Sequence, residues 1–122
     1  MNAERDQRLR LRDMLAASDK ILERTAEGRE EFLGDEMVQV WVIHHLEVIG
    51  EAAARVDVGI REAHPEVDWV AAAHTRNRLV HGYFDIDPEI VWKTVERDIP
   101  VLREQIAAIL LRMSESDGGW QS

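Results

Sequence analysis

Between Asp35 and Val56 the chain reads DEMVQVWVIHHLEVIGEAAARV, and this stretch decides the fold. Val38, Val42, Leu46, Ile49, Ala53 and Val56 recur at steps of three and four, the spacing of one face of an α-helix. Asp35 supplies an N-cap and Glu36 an acid in the first turn, where the helix dipole favours negative charge. Met37, Val40, Trp41 and Ile43 add apolar surface outside that stripe. A helix apolar nearly all round must be covered on more than one side. The cover is either a second subunit, which would make a homodimer, or a neighbouring helix of the same chain.

Working outward, the segment from Ala3 to Ala26 places Leu11, Met14, Leu15, Ile21 and Leu22 at helical steps, with Ser18 and Thr25 on the same face. Gly28 ends it, and Arg29 to Gly34 reads as a short acidic loop anchored by Phe32. Downstream, Asp57 to Asp68 reads as a connector containing Gly59 and Pro65. Asp68 caps a third helix running from Trp69 to about Val80, with Gly82 just past its end. Asp87-Pro88-Glu89 opens the last helix with a cap and a proline in the first turn. That helix carries Val91, Val95, Ile99, Leu102, Ile106, Ile109 or Leu110, and Met113, and Pro100 kinks or splits it.

Alternating β-branched runs are absent, so the expectation is an all-α, antiparallel bundle of four to five helices. Residues 1–113 form a single helical domain, and 114–122, with Gly118-Gly119, a flexible C-terminal tail.

Composition removes several classes of function. With 122 residues, 45% hydrophobic and 32% charged, the chain is a folded domain rather than a disordered one. Zero cysteine excludes disulfides, thiolate nucleophiles and cysteine-ligated metals. No apolar run is long enough for a membrane span, and Met1 to Arg12 lacks a signal-peptide core, so a cytoplasmic location is expected. The net charge of −9 argues against indiscriminate coating of nucleic acid, although a site is local.

Chemistry concentrates in His74-Thr75-Arg76-Asn77-Arg78-Leu79-Val80-His81-Gly82-Tyr83-Phe84-Asp85. Arginine holds phosphate with a planar fork that stays charged, and histidine moves protons near neutral pH. Arg76 and His81 thus form a minimal kit for cleaving a phosphodiester without a metal. Five residues along a helix turn through about 500°, which would aim the two side chains about 140° apart. They converge only if the chain leaves the helix before His81, or if a second copy completes the site. The alternative is a cationic helix C-terminus that merely suits the dipole.

Other candidates are weaker. His44 and Glu47 share a helical face near His45 and Glu51, but the set lacks the three or four convergent ligands of a metal site, so no metal or cofactor is expected. Glu51 is a candidate partner for an arginine near the motif. Arg5, Arg8, Arg10 and Arg12 alternate with acids and read as a solvated face; Trp41, Trp69 and Trp92 read as core.

Arg76-Asn77-Arg78-Leu79-Val80-His81-Gly82-Tyr83, followed by Phe84-Asp85-Ile86-Asp87, resembles the signature of HepT-like toxins of the HEPN superfamily: an arginine, four residues, a histidine, one residue and a tyrosine. Ile49-Gly50-Glu51-Ala52-Ala53, Pro65, Trp69, Val91-Trp92 and Asp98-Ile99-Pro100-Val101-Leu102 extend the resemblance from about Phe32 to the end of the last helix. It implies an all-helical homodimer that cleaves RNA without metal, as the toxin of a type VII toxin–antitoxin pair. On that resemblance Arg76 and His81 are the catalytic pair, and Asn77 and Arg78 bind RNA or orient a catalytic group. Tyr83 is the residue to which an MNT-type nucleotidyltransferase partner adds AMP. His74 and Thr75 depart from the glycine and bulky apolar residue common before the arginine, and Ala72 replaces a larger aliphatic, which opens the question of local packing. No role is assigned to His74 or Asp85. A rival reading keeps the dimer but makes it a non-catalytic, RNA- or nucleotide-binding partner of the nucleotidyltransferase.

Overall fold

The structure, a computed structural model, describes the backbone of residues 2–75, 80–81 and 85–121, and the side chains of 5–75 and 87–114. Its long elements are α1 (Asn2–Arg24), α3 (Glu36–Ala54) and α7 (Ile99–Gln121). Between them lie the short helices α2 (Arg29–Leu33), α4 (Val58–Ala63), α5 (Trp69–Ala73) and α6 (Pro88–Lys93). A π-helical turn, Thr94–Asp98, joins α6 to α7. The fold is the expected all-α bundle.

Contacts between helix ends fix the directions. The Gln7 side chain bonds the Arg55 carbonyl at 3.4 Å and the Asp57 amide at 2.6 Å, so the start of α1 lies at the end of α3. Arg103, near the start of α7, reaches Asp19 near the end of α1 at 2.8 Å. Arg8 and Arg12 meanwhile share a shallow pocket with Leu110 and Ser114. Both neighbours of α1 therefore run antiparallel to it.

One core fills the space between these helices. Leu11, Met14, Ile21, Val42, Leu46, Ile49, Val91, Ile106 and Ile109 are all buried in it. The stripes that predict these helices are thus the ones that pack. Ser18 and Thr25 join the apolar face of α1 without cost in unpaired hydroxyls, because each donates to the carbonyl four residues back, at 2.8 and 2.7 Å.

Caps fall where expected. Asp35 accepts from the Val38 amide at 3.2 Å, Asp68 from Ala71 at 3.0 Å and Asp87 from Glu89 at 3.0 Å. Pro100 interrupts the regular hydrogen bonding of the last helix without breaking it. Its ring cannot donate and would crowd the carbonyl four residues back, and the preceding turn opens so that the Ile99 amide bonds Thr94 instead.

Several expectations need correction. Arg29 to Gly34 is not a loop but contains α2, whose Phe32 packs on Trp92 with ring centroids 5.5 Å apart. The connector Asp57–Asp68 contains α4. Both helices are shorter than two turns, too short to show a period in sequence. The third helix does not reach Val80. It ends at Ala73, and Val80–His81 (β1) pairs antiparallel with Asp85–Ile86 (β2), Val80 opposite Ile86 and His81 opposite Asp85. A two-residue strand is invisible to an alternation test. α7 itself extends as helix to Gln121. Among the described residues no helix is long and apolar enough to cross a membrane.

Candidate functional site

In sequence the polar motif lies between two well-anchored points, α5 before it and the α6 cap after it. Asp68 caps α5, and the Trp69 indole donates to the His64 carbonyl at 3.0 Å, tying the helix to the end of α4. At its far end α5 lies directly on Gly50 of α3. A Cβ built there would sit 3.2 Å from the Ala73 carbonyl oxygen and 3.6 Å from that of Ala72. Glycine inside a helix costs about 0.5–1 kcal/mol, and here it lets two backbones touch. The small, buried Ala72 belongs to the same close approach, which answers the packing question raised by the sequence.

Thr75 is buried at the root of the motif, its hydroxyl donating to the Ala71 and Ala72 carbonyls at 3.0 and 2.9 Å. Exposed His74 closes α5. Arg76, Asn77, Arg78 and Tyr83 lie outside the described residues. For His81 the backbone is described, and it stands in β1 opposite Asp85. The chain has therefore left the helix before His81, and the helical angle that would separate it from Arg76 does not apply.

A cleft of about 290 Å³ opens beside Thr75, with α5 on one wall and the π-helical turn on the other. Among the described residues that line it, Arg97, on that turn, faces Glu66, Asp68 and Asp98. Sequence reasoning did not single out Arg97. Pro100 was the signal that the chain bulges there.

On α3, Ile43 is buried within the chain, but Met37, Val40 and Trp41 are 81%, 56% and 43% exposed. They fall three and four residues apart, a stripe that the other helices leave uncovered. Trp41 is thus not core, unlike Trp69 and Trp92. Its ring meets that of His45 edge-on at 4.5 Å, and His44 lies 5.0 Å from His45. His45 is only 7% exposed, and its Nε2 has no hydrogen-bond partner among the described residues. Burial, with smaller contributions from His44 and Lys20, holds the imidazole below its ordinary pKa.

Among the described residues, no three or more histidines and carboxylates group as a metal site. Glu51 pairs with exposed Arg55, one turn on, at 3.8 Å.

The architecture is therefore an all-α bundle whose densest polar motif falls, in sequence, between α5 and α6. The chain belongs to the family described as ribonuclease HepT-like, which matches residues 14–109. A protein of Thermococcus cleftensis named "Probable ribonuclease HepT" is 42% identical over 94 residues, covering 76% of this chain and 86% of the relative. "Putative RNase MJ1380" of Methanocaldococcus jannaschii is 33% identical over 108 residues, covering 88% of this chain and 99% of that protein. No solved structure matches.

Proposed function

We propose that this chain is a metal-independent endoribonuclease and the toxin of a toxin–antitoxin pair. The observation that carries the reading is the arginine–histidine–tyrosine motif, Arg76, His81 and Tyr83, within a chain of the ribonuclease HepT-like family. In this mechanism His81 takes the proton of a ribose 2′-hydroxyl, whose oxygen attacks the adjacent phosphorus. The bond to the 5′-oxygen of the next nucleotide breaks as that oxygen takes a proton from water, leaving a 2′,3′-cyclic phosphate and a 5′-hydroxyl, and the imidazolium of His81 returns its proton to the hydroxide so formed. Arg76 holds the phosphate and stabilises the charge that grows on it. Asn77 and Arg78 orient the RNA.

Two copies joined through Met37, Val40 and Trp41 of α3 would cover the exposed stripe and present paired motifs to one RNA. Tyr83 would be silenced by AMP added by a nucleotidyltransferase partner, because phosphates placed there carry charge into the RNA path. Incubation with total cellular RNA in EDTA tests the catalytic claim: cleavage by the parent, abolished in both Arg76→Ala and His81→Ala, is expected. Intact RNA after treatment with a parent whose Tyr83 is unmodified by mass spectrometry would sink it. Growth arrest on expression, relieved by His81→Ala and by co-expressing the nucleotidyltransferase, tests the toxin role.

The acid-lined cleft beside Thr75 and the net charge of −9 favour one rival, a dimer that serves the nucleotidyltransferase without cutting RNA. Under that reading the partner binds equally well to the His81→Ala protein, and no RNA is cleaved by either.

A further inference from the structure

On the side of α4 and α5 there is a groove of about 540 Å³ that the bundle does not fill. Buried Val67 and Trp69 line it, and on its walls Val58 and Val70 stand 57% and 70% exposed. α4 has no fully buried residue, and Val58 shares a face with Glu62, four residues on. Two further carboxylates, Glu66 and Asp68, line the groove with Glu62, against the guanidinium of Arg61 among the described residues. Glu66 is held ionised, below the usual carboxylate range, by a hydrogen bond from its own backbone amide and by His64, whose Nδ1 lies 3.3 Å away.

Apolar walls under an acidic rim discriminate between occupants. Nucleic acid would bring phosphates against the carboxylates. A second copy meeting this face symmetrically would set the same carboxylates against each other. We infer that the groove between α4 and α5 receives a cationic, aliphatic segment of a different protein, with Leu- or Val-type side chains between Val58 and Val70 and Lys or Arg against Glu62, Glu66 and Asp68. Such a segment sits at the root of α5, the helix that leads into Arg76. The inference stands whether or not the chain cleaves RNA.

The test uses the full chain and a fluorescent helical peptide with leucine on one face and lysine on the other. A lysine/serine peptide of the same charge and a leucine/glutamate peptide serve as controls. Saturable binding of the leucine/lysine peptide alone is expected, weakened about tenfold by Val58→Ser or by Val70→Ser, the change for truncating one buried valine. Both valines are exposed, so circular dichroism should show both variants folded. Glu62→Gln with Glu66→Gln should weaken binding and flatten its salt dependence. A photo-reactive leucine in the peptide should cross-link within residues 58–70. Equal binding of the lysine/serine peptide, indifference to the valine variants, cross-links elsewhere or no saturation would each overturn the assignment. So would a change of sedimentation of the protein alone in Val70→Ser, which would make the face a self-contact, or RNA cross-linking to the groove.

Discussion

Protonation of His45 would place a positive charge among buried side chains, next to a second imidazole and with no acceptor for Nε2 among the described residues. Its pKa in the folded chain lies below its ordinary value of 6.5, so the unfolded chain binds more protons across the window beneath 6.5. Stability from this residue is therefore intact above that window and is lost as pH falls through it. His45→Leu should flatten the dependence. Urea midpoints at pH 8 and pH 5 are expected to differ more for the parent than for the variant, and equal differences would remove His45 as the cause. Elsewhere in the core, Phe32→Ala removes the ring that meets Trp92 and should cost about 3–5 kcal/mol, read from chemical denaturation. Single residues of this kind were legible beforehand: Phe32 as an anchor and the caps Asp35, Asp68 and Asp87 follow from residue type and position alone. The exposure of Trp41 was not legible, because a stripe in sequence shows which residues are apolar and not which of two faces the same chain covers.

α5 owes its position to two backbones in contact, and that contact belongs to neither helix alone. Replacing Gly50 by alanine adds helix propensity worth about 0.5–1 kcal/mol but crowds the Ala73 carbonyl, so the two effects oppose each other. Gly50→Leu has no such offset large enough: α5 must lift, with an expected loss of about 1–3 kcal/mol in thermal or urea unfolding. Under the proposed mechanism, ribonuclease activity should fall further than stability does, since α5 leads into Arg76. Unchanged activity in a folded Gly50→Leu protein would detach the motif from α5. The long helices were readable from periods of three and four because burial selects one face over many turns. α2, α4 and the β1–β2 pair were not, since five-, six- and two-residue elements end before any period repeats. Of the candidate site, the sequence supplied the residue kit and the condition for convergence. Departure from the helix before His81 is a matter of strand pairing across Gly82–Phe84, which no local pattern announces.

Across the whole molecule, acids outnumber bases 24 to 15, yet the exposed stripe Met37, Val40 and Trp41 carries no charge. If two copies meet there, as proposed, Trp41→Asp should give a folded monomer by sedimentation and lower RNA cleavage with it. A monomeric parent would overturn the dimer and leave the stripe to another partner. The same scale brings out what the π-helical turn does. Val91, Val95 and Ile99 follow one another at four and four, where a regular helix would alternate three and four, and all are buried. The turn therefore behaves as a phase shifter: its additional residue sets the rotational phase at which all of α7 meets α1. Glu96, Arg97 and Asp98 are exposed, and each should accept substitution with little effect. Loss of a single codon there is another matter. Deleting Arg97 would rotate α7 by about 100°, swinging Ile106 and Ile109 out of the core. The deletion protein is expected to be unfolded or insoluble where Arg97→Ala is indistinguishable from the parent in melting temperature. In lineages descended from this chain, the segment should vary in letters but not in length.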